Sequence, residues 1–271
     1  MLICPICSKP LLPEEKRALC PAGHSFDRAR QGYLNLLNDP SGKGHGDNGE
    51  MLRARRLFLD AGHYEFLAKK IAEEAVHHLP VGGVLLDAGC GEGYYTRFVS
   101  RALEQAGKSP EVYAFDIAKD AARLTATRME KKGRFFVAST FHIPMGDRSV
   151  DVILSLFAPY SEEEFLRVLR PGGILIRAVP MENHLYQLKR AVYENPTKNV
   201  AAATIGAGFE ILGEHRLQGE ICLQTKEEIA ALFGMTPYAH KTGREDMKKL
   251  EALEEITTQL DFGVILYRKR S

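Results

Sequence analysis

Nowhere do the 271 residues contain an apolar run near 18 residues, so no helix long enough to span a bilayer can be drawn from them. The opening stretch, Met1-Leu2-Ile3-Cys4, lacks both the basic region and the apolar core of a secretory leader. Cysteine is sparse: five residues, an odd number spread unevenly, do not make a disulfide framework. A reducing cytoplasm is the expected compartment. Net charge is nearly absent as well, at +1 from 36 basic and 35 acidic residues, so nothing global marks a nucleic-acid binder and any such role must rest on local charge. What the chain has is a hydrophobic fraction of 45%, enough for a sizeable core, and a length that suits one large domain with a small appendage. It has no internal repeat.

The most informative stretch runs from Val84 to Gly93. Val84-Leu85-Leu86 reads as a buried strand. Asp87-Ala88-Gly89-Cys90-Gly91-Glu92-Gly93 is a carboxylate followed by three glycines at alternate positions, and Tyr94 to Val99 reads as the start of a helix. Strand, glycine loop and helix bring backbone N–H groups against a ligand, because glycine removes the side chain that would block approach. A dinucleotide loop spaces its glycines Gly-x-Gly-x-x-Gly for a pyrophosphate. Here Asp87 stands where a pyrophosphate would be repelled and a cationic amino group welcomed. S-adenosylmethionine (SAM) carries such an amine beside a carboxylate that loop N–H groups can take. The pattern resembles motif I of class I SAM-dependent methyltransferases, and makes Asp87, Gly89, Gly91 and Gly93 candidate cofactor residues. The fold expected is an α/β, Rossmann-like doubly wound sheet.

Residues 1–37 form a separate compositional unit. Cys4-Pro5-Ile6-Cys7 is a Cys-x-x-Cys knuckle, and Cys20-Pro21-Ala22-Gly23-His24 supplies a third cysteine and a histidine. Cys4, Cys7, Cys20 and His24 make the closed tetrahedral set of structural zinc. A redox Cys-x-x-Cys would sit in a strand–helix context that is absent. So short a segment buries little core alone, and a metal staple is physically reasonable. The following Phe26 to Leu37 mixes basic and aromatic residues, which suits either RNA or a strand and turn packed on the zinc unit. Residues 38–49 are small, polar and glycine-rich and read as a linker, leaving 50–271 as the larger domain.

Residues 50–78 are helical in pattern, punctuated by Gly62, with Arg53, Arg55 and Arg56 as a local cationic cluster that is either a solvated face or a phosphate site. Tyr64, upstream of the glycine loop, belongs either to the cofactor site or to the core. Glu111 to Asp116 is a second strand ending in an acid, the position that hydrogen-bonds ribose hydroxyls in such sheets; Asp116 also suits capping of the next helix, expected over Lys119–Lys132. Arg134 to Ser139 is a third strand. Ser139-Thr140-Phe141-His142-Ile143-Pro144-Met145 resembles the methyltransferases' Asp-x-x-x-Leu-Pro-Phe stretch, which implies that Ser139 and Thr140 border the adenine, Ser139 standing where many members carry an acid. A fourth strand exits through Phe157-Ala158-Pro159-Tyr160, which should face the transferred methyl group. A fifth, Ile174–Val179, follows the turn at Arg170-Pro171-Gly172-Gly173. His184 then lies near the same sheet edge, as a cofactor contact, an acting group or a surface helix-start histidine; with Glu182 it is the nearest candidate proton acceptor. Residues 209–223 and 260–268 read as closing strands around a helix from Thr225 to Phe233, and Lys248–Leu260 as a solvated helix. Met235 to Lys241, with Tyr238, His240 and Lys241, lies at the rim as a possible target contact.

Taken together, the N-terminal Cys-x-x-Cys…Cys-x-x-x-His, the stretch Glu50-Met51…Ala54-Arg55-Arg56…Phe58-Leu59-Asp60-Ala61-Gly62-His63-Tyr64, the loop Asp87 to Thr96, Ala158-Pro159, His184-Leu185 with Leu188-Lys189, and Met235-Thr236-Pro237 closely resemble the RlmA/TlrB family of bacterial 23S rRNA guanine-N1-methyltransferases. The resemblance spans essentially the whole chain. It implies zinc on Cys4, Cys7, Cys20 and His24, and SAM contacts from Tyr64, Gly91, Glu92 and His184. It also implies methylation of one guanine in an rRNA hairpin, a zinc unit that takes part in RNA recognition, and a homodimer. The chain departs from the enterobacterial-type pattern at Ile143-Pro144-Met145 and at Tyr160. Two other function classes fit parts of the sequence: a small-molecule methyltransferase, which gives the zinc unit no task, and a non-catalytic zinc-dependent RNA binder, against which Asp87, Gly89, Gly91, Gly93 and Asp116 all argue.

Overall fold

A computed structural model describes residues 1–38, 46–200, 206–239 and 241–270. The N-terminal unit begins with three short antiparallel strands, β1 (Leu12–Pro13), β2 (Arg17–Leu19) and β3 (Ser25–Asp27), followed by β4 (Leu34–Asn35). Two helices come next. The first, α1 (Gly49–Asp60), is N-capped by the Asn48 side chain, which accepts the N–H groups of Glu50 and Met51. Gly62 then takes a left-handed φ of +87°, turning the chain into α2 (Glu65–His78).

The remaining elements alternate: β5 (Val84–Ala88), α3 (Tyr94–Gln105), β6 (Glu111–Asp116), α4 (Lys119–Arg128), β7 (Arg134–Val137), β8 (Val150–Leu156), α5 (Glu162–Val168), β9 (Leu169–Pro180) and α6 (Tyr186–Val192). A long antiparallel arm closes the domain, with β10 (Phe209–Leu223), α7 (Lys226–Gly234), α8 (Arg244–Glu251) and β11 (Ile256–Lys269). The large sheet has the order β10-β11-β9-β8-β5-β6-β7-β4. Pairings from β4 to β9 are parallel, and β11 and β10 add antiparallel at the other edge. β5 is buried along its whole length, as a strand covered on both faces must be. The chain moves outward through β6 and β7 and then returns to β8 on the other side of β5. The crevice at this reversal, above the carboxyl ends of the strands, is where an open α/β sheet binds ligands.

The N-terminal unit is joined to this sheet. β4 pairs in parallel with β7, and Leu2 bridges Met145. Leu2, Cys4, Leu11, Ala18, Cys20, Leu34 and Leu36 share one buried cluster with Leu86, Phe115, Phe136 and Ile153 of the sheet. The change of composition near residue 37 is therefore not a break in packing. Leu34, Leu36 and Tyr33 are buried, so for these residues the strand-and-turn reading of Phe26 to Leu37 holds, and Tyr33 offers no free ring for a base.

Three boundaries differ from the sequence expectation. α4 stops at Arg128 because Glu130 and Lys131 adopt left-handed φ values of 52° and 63°, reversing the chain before β7. β9 begins at Leu169, earlier than Ile174, with a register irregularity near the glycine turn. The segment Lys248–Leu260 is not one helix: α8 ends at Glu251 and β11 starts at Ile256. Ile256-Thr257-Thr258 is β-branched and finds Leu223, Cys222 and Ile221 opposite, so strand pairing wins over a continued polar helix.

Candidate cofactor pocket and zinc centre

The zinc ligands sit on two tight turns. Cys7 and Cys20 sulfurs are 3.6 Å apart, and His24 Nδ1 lies 3.5 Å from the Cys4 sulfur and 3.4 Å from that of Cys20. All four ligand atoms fall within 4.8 Å of one another. A tetrahedral zinc with ordinary bond lengths requires edges of about 3.8 Å between sulfurs and about 3.5 Å between sulfur and nitrogen. These three separations lie close to such edges, so the four side chains suit the ion, with Nδ1 of His24 as the nitrogen ligand, and a four-ligand set leaves no open position for substrate.

At the other site, the glycine loop leaves β5 under close steric control. Gly89 has φ +86°, and a Cβ there would sit 2.5 Å from that of Ala158, two residues past the end of β8. Gly93 has φ +88°, and a Cβ would meet the backbone of Thr125 in α4 at 2.9 Å. Both positions require glycine for conformation and for space. Asp87 lies beneath this loop, 1% exposed. Thr96 donates to Oδ2 at 2.6 Å, while Oδ1 has no hydrogen-bond partner among the described residues. Burial, opposed by the Thr96 hydrogen bond and reinforced by Asp116, pushes the carboxyl up to about 7. An orphaned carboxylate oxygen in a buried site is expensive, and it suits a ligand that brings a positive donor.

Asp116, at the tip of β6, accepts Gly91 N–H at 3.0 Å and Ala118 N–H at 2.8 Å. It thus ties the glycine loop to the residue before α4, but it does not cap that helix, whose N-cap position is Ala118 with no side-chain cap bond. Burial raises its pKa despite these two bonds. Ser139 lies at the edge of a cavity with Ile117, and Phe141 N–H donates to its hydroxyl at 3.2 Å. Thr140 beside it is buried.

Glu92 is placed differently. It is 2% exposed and points to Arg128, whose Nη2 lies 2.5 Å from Oε2. Arg128 also donates to both oxygens of Asp60 at the end of α1, at 2.8 and 3.2 Å. The Glu92 side chain thereby anchors the loop to α1 and α4, and it is through the loop's position that it bears on a ligand.

Tyr64 and His184 are brought together. The Tyr64 hydroxyl is 3.4 Å from His184 Nε2, and both residues pack on the Phe262 ring, at 4.9 and 4.4 Å between centroids. His184 Nδ1 accepts the Asp261 backbone N–H at 3.3 Å. Burial pulls the imidazole down to about 3, so it is neutral. With Nδ1 accepting, the network assigns its proton to Nε2, facing Tyr64. Its one basic lone pair, on Nδ1, is then taken by the Asp261 N–H and is not available for a proton. Glu182 pairs with Arg216 at 3.2 Å on the rim, the same arginine that binds the fully buried Asp261. Of the two candidate proton acceptors, one is structurally occupied and the other is held away by an arginine.

The exit of β8 divides. Phe157 carries a left-handed φ of 55°, rare for a bulky side chain, and its ring is 44% exposed beside Tyr95 and Phe262. Tyr160 turns the other way, packing against Phe165 and under the Arg177 guanidinium. Three further groups at the pocket were not singled out from the sequence as cofactor contacts. The Tyr95 hydroxyl is buried and has no hydrogen-bond partner among the described residues. Arg55 lies over the loop, 3.2 Å from where a Gly91 Cβ would be, paired with Asp47 and bonded to the Met235 carbonyl. Leu36, Leu37 and Asn38 line the cavity beside Ser139. Their only sequence signals are proximity to the loop's helix, a charge beside the glycine-rich segment, and apolar residues at the end of the zinc unit. Of the proposed linker, residues 39–45 lie outside the described residues, as does His240.

Comparisons with known proteins match both parts of the chain. A family model described as "RlmA, N-terminal" matches residues 2–40, and one described as "Methyltransferase domain" matches residues 85–173. The chain is 36% identical over 267 residues to a putative 23S rRNA (guanine-N(1)-)-methyltransferase of Micromonospora griseorubida, covering 89% of this chain and 87% of the relative. It is 30% identical over 274 residues to the 23S rRNA (guanine(748)-N(1))-methyltransferase of Streptomyces fradiae, covering 97% and 95%. The solved YcgJ protein of Bacillus subtilis aligns with a TM-score of 0.50 at 14% identity, over 76% of this chain and 99% of that one, a likeness of fold alone. The large domain is a SAM-dependent methyltransferase domain and the small one a zinc ribbon. A chain with both, alike to these relatives over nearly its full length, belongs to the family of 23S rRNA (guanine-N1)-methyltransferases.

Proposed function

We propose that the protein methylates N1 of a guanine in bacterial 23S ribosomal RNA. The observation that carries this reading is the near full-length similarity to relatives named for that reaction, zinc ribbon included. SAM supplies a methyl group already activated on its sulfonium. The residues of this chain supply position. Asp87 Oδ1 receives the amino group, the Gly89–Gly93 loop lies along the methionine portion, and Asp116 takes the ribose hydroxyls. Ser139 and Thr140 border the adenine. Glu92 holds the loop through Arg128. Tyr64 and the neutral His184 form the wall on the methyl side, with Phe262 behind them.

The acceptor N1 is occupied by Watson–Crick pairing in a duplex, so the guanine must be unpaired or turned out of its stack. The exposed ring of Phe157, held out by a strained backbone, supplies a stacking surface for it. N1 also carries a proton at neutral pH, which must leave as the N–C bond forms. With His184 and Glu182 both committed, water takes it. Residues 1–37 serve as the RNA-recognition unit, 38–49 as the connection and 50–271 as the catalytic domain. The family resemblance supports a homodimer acting in the cytoplasm; no helix among the described residues is long and apolar enough to cross a membrane.

The test is primer extension on 23S rRNA after incubation with protein and SAM. N1 methylation blocks base pairing, so a protein-dependent stop one nucleotide before a single guanine is expected. Methyl incorporation that never produces such a stop would refute the assignment.

A further inference from the structure

The zinc ribbon and the cofactor pocket share a wall. A cavity of about 270 Å³ is lined by Leu36, Leu37 and Asn38, where the chain leaves the ribbon, and by Ile117, Ser139 and His142 beyond β6 and β7. Ile117 directly follows Asp116. In an open α/β sheet, a nucleotide whose ribose meets the acid at this strand tip places its base over the next strand, and here that volume is this cavity. Leu36, Leu37 and Ile117 give it apolar sides. The Asn38 amide, the Ser139 hydroxyl and the His142 imidazole offer groups for the polar edge of an aminopurine.

The segment is fixed from both directions. Toward the sheet, β4 pairs Leu34 with Phe136 and Asn35 with Val137, and Leu36 N–H donates to the Val137 carbonyl at 3.0 Å. Toward the ribbon, Asn38 Nδ2 donates to the Pro5 carbonyl at 3.4 Å. Pro5 lies inside the knuckle, between the ligands Cys4 and Cys7. The same knuckle is tied to the loop after His142 by Ile3 N–H donating to Pro144 at 3.0 Å.

We propose that Leu37 and Asn38 close the adenine end of the SAM site, and that zinc in the ribbon and cofactor in the pocket therefore stabilise one another. Zinc fixes the turn that carries the Pro5 carbonyl, that carbonyl holds Asn38, and Asn38 with Leu37 holds the base. This rests on SAM binding at the carboxyl ends of β5 to β7. Coupling is reciprocal by thermodynamic necessity: if zinc tightens cofactor, cofactor must tighten zinc.

The experiment uses the full-length, zinc-loaded protein, titrated calorimetrically with S-adenosylhomocysteine and, separately, with adenosine. Asn38 is exposed, so Asn38→Ala is expected to fold and to retain zinc. Losing one hydrogen-bonded contact should weaken both ligands by about fivefold. Asp87→Asn, by contrast, should weaken S-adenosylhomocysteine and leave adenosine unchanged. In the reverse direction, S-adenosylhomocysteine should slow zinc transfer to a chromophoric chelator in the wild type, and Asn38→Ala should reduce that protection. Unchanged affinities for both ligands in Asn38→Ala, or zinc release indifferent to S-adenosylhomocysteine, overturns the proposal while leaving the cofactor site intact. A wild-type protein that binds no S-adenosylhomocysteine overturns the cofactor-site reading beneath it.

Discussion

Asp87→Asn should move stability and cofactor affinity in opposite directions. In the free protein the Asp87 carboxyl is buried, one oxygen is orphaned, and its pKa is raised from 3.8 to about 7. A carboxyl whose pKa rises on folding destabilises the native state once it ionises in the unfolded chain. The penalty begins above pH ~4, grows up to the folded value and is constant beyond it. A shift of roughly 3 units corresponds to at most about 4 kcal/mol, reduced in practice by local relaxation. Asn keeps the acceptor for the Thr96 hydroxyl and removes the charge. The variant should therefore melt at a higher temperature than wild type at pH 8, with the advantage shrinking as pH falls toward 5. The same change removes a charge-assisted hydrogen bond to the cofactor's ammonium. Such bonds contribute about 1.5–3 kcal/mol, or roughly 10- to 150-fold in affinity. Calorimetry adds a third signature. At pH 6 the carboxyl is mostly protonated in the free protein and must ionise to meet the amine, so wild type should release close to one proton more than the variant on binding SAM. Equal SAM affinities at pH 7.5, together with equal proton release at pH 6, would refute the pairing of Asp87 with the amino group.

Three further outcomes follow from the geometry. Gly89→Ala places a Cβ at 2.5 Å from Ala158 in a left-handed backbone, and should cost about 2–4 kcal/mol in urea denaturation; adding Ala158→Gly should recover only the steric part. Arg128→Ala strands Glu92, whose side chain is 1% exposed, and should destabilise by roughly 3–5 kcal/mol, whereas Glu92→Gln, which removes the buried charge itself, should cost clearly less in the same assay. His184 stays neutral across the working range, with a pKa near 3. The pH–rate profile between 5 and 9 should then be the same shape in wild type and His184→Gln, the variant showing its effect as weaker SAM binding; a limb lost on substitution would mark the histidine as the base after all.

The zinc set was legible because chelation by turns is local: two short Cys and His spacings fix which atoms can converge, and in the fold all four ligand atoms lie within 4.8 Å of one another. Motif I was legible for the same reason, since strand, glycine loop and helix are contiguous. Asp116 was found at a strand tip, where it accepts the backbone N–H groups of Gly91 in the loop and Ala118 in the turn after it. Glu92 was less legible. Its neighbours in sequence place it on the loop, but Arg128 lies 36 positions away and decides where the carboxylate points. The helix boundaries after residue 248 failed for a similar reason: the polar pattern of Lys248 to Glu255 gives no sign of the strand partner that claims Ile256 onward.

The sequence by itself determined the modules, their order and the chemistry of the two ligand sets, because these depend on residue type and short spacing. Tertiary structure decided what each side chain is free to do. It occupied both nitrogens of His184, pinned Glu182 to Arg216, held Phe157 out to solvent and turned Tyr160 inward. It also carried β4 of the ribbon into the large sheet and set Asn38 between a zinc knuckle and the cavity beside Asp116. Such contacts join residues remote in the chain, and packing and hydrogen-bond satisfaction in the folded core settle them.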